Sequence, residues 1–282
     1  KFMQTITSAQ EIQKITLELR KIGKTIGFIP TMGALHKGHL KLVQESKAKN
    51  DVTIVSIFVN PAQFSPNEDL AKYPRPIKND QDLLSKEKVD FLFYPSTETI
   101  YPEGFQTYVS VKKHSSIFEG KIRPSHFTGV ATVVLKLFNL IKPNAAYFGQ
   151  KDFQQCAVIK QMIKDLNLSI SINVVQTVRD KDGLALSSRN IFLNTQERSQ
   201  ALNLYQSLLV GKKLILAGNK NARTIKTKMS NYLQKYKLIR LDYIEICNPE
   251  NLSPVKVIPK KTVILIAAHV GKTRLIDNII II

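Results

Sequence analysis

Apolar positions in the first two thirds of the chain follow two alternating patterns. Short, nearly continuous apolar runs such as residues 52–59 predict parallel strands that are covered on both faces. Between these runs, apolar residues recur three or four positions apart, as at Ile12, Ile15 and Leu19, which predicts amphipathic helices. The strands are expected near residues 25–29, 52–59, 91–94, 145–148 and 170–175, and the helices near 9–22, 38–49, 82–88, 128–141 and 153–166. This alternation predicts an α/β fold with a Rossmann-like, doubly wound parallel sheet.

The pattern changes near residue 185, where helical segments are followed by two apolar segments of strand length. The helices are expected over residues 195–217 and 223–236, and the strands over 241–247 and 262–268. Such an order is typical of an α+β domain with a short antiparallel sheet. We therefore divide the chain into a larger domain over residues 1–184 and a smaller C-terminal α+β domain over residues 185–282.

Composition excludes some classes of protein but does not identify the function. The chain has 282 residues, of which 43% are hydrophobic, and this fraction excludes intrinsic disorder. The longest apolar runs, such as Val263 to Ala268, are far shorter than the roughly 20 residues that cross a bilayer. Cys156 and Cys247 are the only cysteines and lack a metal-type spacing, so we expect two reduced thiols in a cytoplasmic protein.

Positive charge is in excess, with 41 Lys and Arg residues against 22 Asp and Glu residues and a formal net charge of +19. Nucleic acid, an anionic membrane surface or a polyanionic small substrate would each suit this excess. Residues 211–240 contain several basic residues and no acidic one. Because such runs are usually solvated helix faces, we favour that interpretation over a nucleic-acid site. The charge alone does not identify the partner.

Residues 30–40, PTMGALHKGHL, follow a predicted strand and open a helix. Gly33 permits a tight turn, and the first amides of a helix can bind an anion. His36 and His39 lie three positions apart around Gly38, so both imidazoles can face one phosphate. A His-x-x-His pair can also be half of a metal site, although zinc pairs on helices favour the i, i+4 spacing and no third ligand lies nearby in sequence. The position after a strand favours phosphate chemistry.

Two further segments offer cations and hydroxyl groups for phosphates. Residues 182–190, DGLALSSRN, contain two serines and Arg189, which can clamp the β- and γ-phosphates of a nucleotide. An ordinary serine-rich turn is the alternative interpretation. Residues 149–155, GQKDFQQ, place Lys151 at the N-terminus of a helix, where its charge suits an α-phosphate.

Neutral amide side chains after two strands suit a small polar substrate. Gln155 offers one acceptor and two donor hydrogens to a carboxylate or hydroxyl group. Asn60 and Gln63 follow the strand that ends near residue 59. Because ligands of parallel sheets bind at the carboxyl ends of the strands, we expect these amides near the phosphate motifs.

Seven motifs occur along nearly the whole chain: PTMGALHKGH, SIFVNPAQF, YPR, RPSHFTGV, GQKDFQQ, GLALSSRN and GKTRLIDNI. In order and spacing they resemble the AMP-forming pantoate–β-alanine ligase family of the nucleotidylyltransferase superfamily. Gln150, Phe153 and Leu186 stand where that family commonly has glutamate, tyrosine and methionine. None of these departures removes a catalytic group, and Leu186 keeps an apolar contact for adenine.

The resemblance implies ATP-dependent condensation of (R)-pantoate with β-alanine through pantoyl adenylate, with release of pyrophosphate and AMP. It implies that ATP contacts Met32, Gly33, Ala34, Leu35, His36, Lys37, Gly38, His39, Gly149, Gln150, Lys151, Asp152, Val178, Leu186, Ser187, Ser188 and Arg189. The implied catalytic residues are His36, His39, Lys151, Ser187, Ser188 and Arg189. Gln63 and Gln155 would bind pantoate, and Gln63 would also serve β-alanine.

The same resemblance implies Mg²⁺ as the cofactor of ATP. Asp80 matches an acidic family position and is a candidate magnesium ligand, although a solvated carboxylate is an equally good interpretation. A homodimer without nucleic-acid or membrane partners is also implied. Residues 1–184 would then bind nucleotide and pantoate, and residues 185–282 would form a lid that keeps water from the adenylate.

Three other functions remain open at this point. A mononucleotide adenylyltransferase or a fragment of a class I aminoacyl-tRNA synthetase would share the histidine and serine–arginine motifs. A nucleic-acid-binding protein without catalysis would give affinity with a steep salt dependence and would leave the histidines without a role. ATP–pyrophosphate exchange with and without pantoate distinguishes these functions.

Overall fold

The computed structural model describes residues 3–65 and 70–282. These residues form two compact units, one made of residues up to 149 with 154–176, and the other of residues 150–153 with 177–282. The sequence predicts a division after Leu184, whereas the chain enters the second unit at Thr177. Leu184 itself is buried in the apolar core of the second unit, so the boundary between the units lies before this residue and not after it.

A parallel sheet of six strands forms the centre of the first unit, in the order β1-β4-β3-β2-β5-β6. The strands are β1 (Gln4–Ile6), β2 (Ile26–Thr31), β3 (Val52–Ile57), β4 (Phe91–Phe93), β5 (Ala145–Gly149) and β6 (Ser171–Val175). The helices are α1 (Ala9–Lys21), α2 (Lys37–Lys47), α3 (Ile77–Lys86), α4 (Thr97–Ile100), α5 (Lys112–Ser115), α6 (Glu119–Ile122), α7 (His126–Ile141) and α8 (Phe153–Asp165). The strand order reverses between β2 and β5, and ligands of such sheets bind where the order reverses.

Apolar clusters cover both faces of this sheet. On one face, α1, α7 and α8 pack against strand residues that include Phe28 and Ile54. On the other face, α2 and α3 pack against residues that include Ile29 and Val55. Successive residues of β2 and β3 therefore enter opposite buried faces, as the continuous apolar runs predict. The doubly wound α/β fold is confirmed.

Strand β2 continues through Pro30 to Thr31, beyond the range of 25–29 that the sequence predicts. The carbonyl oxygen of Ile26 accepts from the amide of Asn144, so even-numbered residues of β2 direct their backbone groups toward β5. Pairing between β2 and β5 involves only Gly27 and Phe28. Because the ladder on that side has ended before Pro30, the missing N–H of the proline breaks no strand hydrogen bond.

The second unit contains an antiparallel sheet in the order β7-β8-β9 and two helices. The strands are β7 (Ile239–Cys247), β8 (Thr262–Val270) and β9 (Thr273–Ile281), and the helices are α9 (Thr195–Leu216) and α10 (Ala222–Leu233). The α+β class of this region is confirmed. Sequence periodicity identifies β7 and β8 but misses β9, in which charged and amide side chains interrupt the apolar positions.

Short elements account for most of the other differences from the predicted pattern. The three-residue strand β1 and the four-residue helices α4, α5 and α6 are too brief to show a hydrophobic period. Helix α3 begins at Ile77, directly after Pro76, and not near residue 82. No helix in the described ranges combines the length and apolar character needed to cross a membrane.

Candidate active site

The loop between β2 and α2 makes a tight turn in which two successive residues have positive φ. Gly33 has φ of +80° and Ala34 has φ of +51°. The Thr31 hydroxyl accepts from the Gly33 amide at 3.2 Å and donates to the Ser56 carbonyl at 2.8 Å. A Cβ atom at Gly33 would lie 3.0 Å from a carboxylate oxygen of Asp80. The glycine is therefore required by both the turn and the close approach of this carboxylate.

Asp80, in the first turn of α3, fixes the same loop from a buried position. Its Oδ2 atom accepts from the Ala34 amide and its Oδ1 atom accepts from the Leu35 amide, both at 2.8 Å. Burial raises the pKa of this carboxyl, while the two amide hydrogen bonds oppose the rise. Both oxygens are engaged by the backbone and the side chain is 1% exposed. This environment does not suit a magnesium ligand, and Asp80 is a structural clamp of the loop.

The two histidines of the motif form a capping box at the start of α2. Nδ1 of His36 accepts from the Gly38 amide at 3.1 Å, and Nδ1 of His39 accepts from the His36 amide at 3.3 Å. The ring centroids are 4.1 Å apart. A neutral imidazole that accepts at Nδ1 carries its proton on Nε2, so each ring presents a donor at Nε2. The two rings are therefore neighbours, and their action on one phosphate stays a prediction.

Backbone amides of this loop are already bound by side chains. The amides of Ala34 and Leu35 donate to Asp80, and those of His36 and Gly38 donate to imidazole nitrogens. The sequence predicts that the first amides of the helix bind the anion, and of these four residues only Gly38 lies in the first turn of α2, where its amide is bound by the His36 ring.

Gln63 links the segment after β3 to the loop between β2 and α2, residues 32–39, which is called the histidine loop below. It ends a short 3₁₀ helix, Pro61–Gln63, that is capped by the Asn60 side chain. Nε2 of Gln63 donates to the Met32 sulfur at 2.9 Å, and Asn60 Nδ2 donates to Gln63 Oε1 at 3.1 Å. Gly129 of α7 allows this approach, because a Cβ atom there would lie 2.2 Å from the carbonyl oxygen of Ala62. The structure thus brings Gln63 and Met32 together.

Two adjacent glutamines at the start of α8 have different environments. Gln154 is buried, accepts from the Glu119 amide and donates to the carbonyls of His114 and Ile117. Its amide fastens the α5–α6 segment to α8. Gln155, the predicted substrate ligand, is only half-buried. Gly149, which precedes this segment, is the last residue of β5.

The turn that carries Lys151 belongs to the second unit and is held by Asn278 of β9. Residues 150–152 form a 3₁₀ helix. Asn278 Nδ2 donates to the carbonyl oxygens of Gln150 and Lys151 at 2.9 and 3.0 Å, and its Oδ1 accepts from Gln150 Nε2 at 3.1 Å. The Lys151 side chain is 16% exposed and lies 3.8 Å from the Asp152 carboxylate. Asn278 thus fixes the backbone from which Lys151 projects.

Val178 and Leu186, two of the residues expected to contact ATP, face each other across a hairpin. The Leu186 amide donates to the Val178 carbonyl at 3.0 Å, and the turn closes through Gly183. Arg179 holds the hairpin to β9 by a bidentate ion pair with Asp277, with distances of 2.6 and 2.9 Å. The Arg179 guanidinium also lies 3.7 Å from the centroid of a tyrosine ring. Both members of the ion pair are largely buried, so its geometry is tightly constrained.

The serine–arginine motif follows the hairpin as a 3₁₀ helix, Ser188–Phe192. Ser187 caps it by accepting from the Arg189 amide at 3.3 Å, and Asn190 Nδ2 donates to the Ala185 carbonyl at 3.1 Å. Ser187, Ser188 and Arg189 are all half-exposed. The motif is thus a capped turn, as one interpretation of the sequence expects, and its cation and hydroxyls remain at the surface of the second unit.

Within the first unit, the structure brings together the loop 32–39 and Gln63. Within the second unit, it places Lys151, Val178 and the serine–arginine motif on segments that contact β9 or the hairpin. Sequence reasoning missed the roles of Arg179, Asp277 and Asn278. The motif GKTRLIDNI contains the last two, but no local pattern shows which distant segments they contact.

Comparison with known proteins shows the family to which the chain belongs. The family model described as pantoate–β-alanine ligase matches residues 4–280. Pantothenate synthetase of Caldicellulosiruptor bescii is 53% identical over 279 residues, which are 99% of each chain. Pantothenate synthetase of Thermotoga neapolitana is 50% identical over 279 residues, covering 99% of this chain and 100% of the relative.

Two solved structures are similar over nearly their whole length. The pantothenate synthetase of Thermus thermophilus has a TM-score of 0.93 at 40% identity, covering 98% of this chain and 99% of that one. The pantoate–β-alanine ligase of Francisella tularensis, complexed with β,γ-ATP and β-alanine, has a TM-score of 0.80 at 38% identity, covering 98% and 97%. The chain therefore belongs to the pantoate–β-alanine ligase family and is a ligase.

Proposed function

We propose that the protein condenses (R)-pantoate with β-alanine in two steps at the histidine pair and Gln63. In the first step, a carboxylate oxygen of pantoate attacks the α-phosphorus of ATP, and the bond to the bridging oxygen breaks as pyrophosphate leaves. In the second step, the amine of β-alanine attacks the acyl carbon of pantoyl adenylate. AMP leaves with the former carboxylate oxygen, the nitrogen loses a proton, and pantothenate, a precursor of coenzyme A, is formed.

The His36–His39 capping box is the single observation that carries this proposal. Two adjacent rings, 4.1 Å apart, are fixed at Nδ1 by backbone donors and present Nε2–H groups. Donors held in this way stabilise negative charge on the α-phosphate and on the departing pyrophosphate without reorganisation. No covalent enzyme intermediate is required, since positioning and charge stabilisation account for phosphoryl chemistry of this kind.

Cationic and hydroxyl groups of the second unit bind the triphosphate. Lys151 neutralises charge on the α-phosphate, while Ser187, Ser188 and Arg189 bind the β- and γ-phosphates. Their half-exposed side chains and the Arg189 fork suit bidentate binding of phosphate oxygens. Val178 and Leu186 contact adenine as a cross-strand pair.

Amide side chains of the first unit bind the acid. Gln63 and Gln155 bind pantoate, and Gln63 also serves β-alanine in the second step. The contact of Gln63 with Met32 supports this role, because Met32 belongs to the loop that carries the histidines. Residues 185–282 act as the lid that protects the adenylate from water.

Magnesium enters as the complex with ATP. Among residues 3–65 and 70–282, no cluster of three or more His, Cys, Asp and Glu side chains is arranged to hold a metal ion. Mg²⁺ commonly binds phosphate oxygens and water with few protein ligands, so the ATP phosphates would supply most of its contacts. The proposal also includes a cytoplasmic homodimer that requires neither nucleic acid nor a membrane.

Product analysis tests the proposed function directly. AMP formation is expected only when ATP, pantoate and β-alanine are all supplied for turnover, with pantothenate formed in equal amount. The adjacent glutamines provide a matched pair of variants. Gln155→Ala is expected to weaken pantoate binding, whereas Gln154→Ala is expected to lower stability, since it removes three buried contacts.

Stoichiometric ADP in place of AMP would contradict the proposal. So would turnover that does not require pantoate. For the glutamine pair, calorimetric titration of pantoate and thermal unfolding are measured on both variants. A loss of pantoate affinity confined to Gln154→Ala would contradict the assignment of Gln155.

A further inference from the structure

A series of side-chain hydrogen bonds ends at the buried Gln63 side chain. The Tyr101 hydroxyl donates to Asn60 Oδ1 at 2.8 Å, and Asn60 Nδ2 donates to Gln63 Oε1 at 3.1 Å. We propose that Tyr101 is a positioning residue that acts through Asn60 to orient the Gln63 amide, so that Nε2–H donates to an oxygen of pantoate. This inference rests on the proposed role of Gln63 as a pantoate ligand.

Asn60 transmits the orientation because all of its hydrogen-bonding capacity is used. Its Oδ1 atom accepts from the Tyr101 hydroxyl and from the Ala62 amide, the latter at 3.2 Å. Its Nδ2 atom donates to Gln63 and to the Gly129 carbonyl, both at 3.1 Å. A primary amide has two donor hydrogens and an oxygen with two lone pairs, so four contacts saturate it. Reversing the amide would set Nδ2 against the N–H of Ala62.

The orientation of Asn60 determines what Gln63 offers to a ligand. Gln63 Oε1 receives the Asn60 donor, which leaves Nε2 as the group on the other side of the amide. That nitrogen contacts the Met32 sulfur at 2.9 Å, and a thioether is a weak acceptor. An anionic or hydroxyl oxygen of pantoate is a stronger acceptor and would take this hydrogen. Gln63 therefore selects a ligand that presents an acceptor.

Tyr101 is held in place independently of its hydroxyl group. Its ring lies 6.2 Å from that of Phe58 and 5.0 Å from that of Phe105, measured between centroids. Burial raises the pKa of the Tyr101 phenol, so the hydroxyl keeps its proton and remains a donor at neutral pH. Replacing Tyr101 with phenylalanine thus removes the donor and retains the ring packing.

The test compares Tyr101→Phe with Tyr108→Phe. Tyr108 packs against the same Phe105 ring at 5.3 Å but is 58% exposed, so it experiences the same chemical change outside the hydrogen-bonded series. We expect Tyr101→Phe to raise KM for pantoate about five- to tenfold, the scale of one lost buried hydrogen bond, with kcat and KM for ATP nearly unchanged. Tyr108→Phe is expected to change none of these constants.

Combination with substitutions of Gln63 separates the inference from the function on which it rests. In a Gln63→Ala background, Tyr101→Phe is expected to have no further effect on KM for pantoate, because the acceptor of the series is gone. Gln63→Glu keeps the acceptor for Asn60 but replaces the ligand-facing donor, and it should abolish saturable pantoate binding. Thermal unfolding of each variant verifies that it is folded.

The outcomes distinguish three failures. An unchanged KM for pantoate in Tyr101→Phe, or a fully additive effect in the double variant, would overturn the positioning role while leaving Gln63 as a ligand. Retained pantoate binding in Gln63→Glu would overturn the proposed amide orientation. Unchanged pantoate binding in both Gln63 variants would overturn the proposed role of Gln63 itself.

Discussion

The histidine loop of the first unit carries proposed phosphate ligands, and the hairpin of the second unit leads directly into the serine–arginine motif, which carries others. The two segments are constructed differently. In the histidine loop, the two imidazoles cap their own helix through contacts over two or three positions. In the hairpin, Arg179 is paired with Asp277, which lies 98 positions away. The contrast shows that the imidazoles are oriented by local contacts, whereas the hairpin is held by a contact with a distant strand.

The histidine loop is also more deeply buried than the segment that follows the hairpin. Gly33 and Leu35 of the histidine loop are buried, and Asp80 beneath them is 1% exposed. After the hairpin, Ile191 and Phe192 are 67% and 50% exposed. A segment with fewer buried apolar contacts opens more readily, so we expect faster amide exchange over residues 187–192 than over residues 33–39. ATP should reduce this difference if the serine–arginine motif binds its phosphates.

How much could be predicted from the sequence follows from the same contrast. The doubly wound sheet and the proximity of the His36 and His39 rings could be predicted, because apolar runs and a spacing of three positions are local signals. The role of Asp80 could not, since a carboxylate in a helical segment looks the same whether it faces solvent or a loop 45 positions away. The contacts of Asp277 and Asn278 depend on the position of β9. This strand is not predicted, because polar and apolar residues do not alternate regularly along it.

Replacing the histidines should have the largest effect. His39→Ala and His36→Ala should each slow pantoate-dependent ATP–pyrophosphate exchange about 10²- to 10³-fold, the scale of one transition-state donor. His269→Ala is the matched control, because this histidine belongs to the second unit and pairs with Asp242. A near-normal exchange rate in either variant of the histidine pair would remove that residue from the first step.

Breaking the distant ion pair tests the second region. Asp277→Asn leaves the largely buried Arg179 without its charge partner, and we expect a loss of about 3 kcal/mol in the free energy of unfolding of the second unit. Glu250→Gln removes a carboxylate that is 79% exposed and lies 3.8 Å from Lys261, and should have almost no effect. Denaturant unfolding measures both. Equal effects would show that the hairpin does not depend on this ion pair.

Removing the clamp tests the first region in the same way, with a smaller expected effect. Asp80→Asn keeps one acceptor for the loop amides but turns an NH₂ group toward the other amide, which should cost about 2 kcal/mol. Asp82→Asn, an exposed site on the same helix, is the control. If magnesium dependence of ATP binding changes in Asp80→Asn while stability does not, this carboxylate is a metal ligand and not a clamp.

Replacing His114, another histidine of the first unit, should have the smallest effect, which is a change in how stability depends on pH. Burial lowers the pKa of His114 below 6.5, and neither ring nitrogen has a hydrogen-bond partner within the described part of the chain. The unfolded chain therefore takes up a proton before the folded protein does, and this contribution to stability decreases as pH falls below about 6.5. His114→Leu should flatten this part of the stability profile. If the dependence of stability on pH is unchanged in His114→Leu, other groups cause the loss of stability in acid.

Transfer of oxygen from pantoate tests the central claim, that the reaction proceeds through pantoyl adenylate. Pantoate labelled with ¹⁸O in its carboxylate is supplied with ATP and β-alanine, and the phosphate-containing products are analysed by mass spectrometry. Attack of the carboxylate on the α-phosphorus predicts one ¹⁸O atom in AMP and none in pyrophosphate. Label in inorganic phosphate with formation of ADP, or AMP without label, would contradict the account.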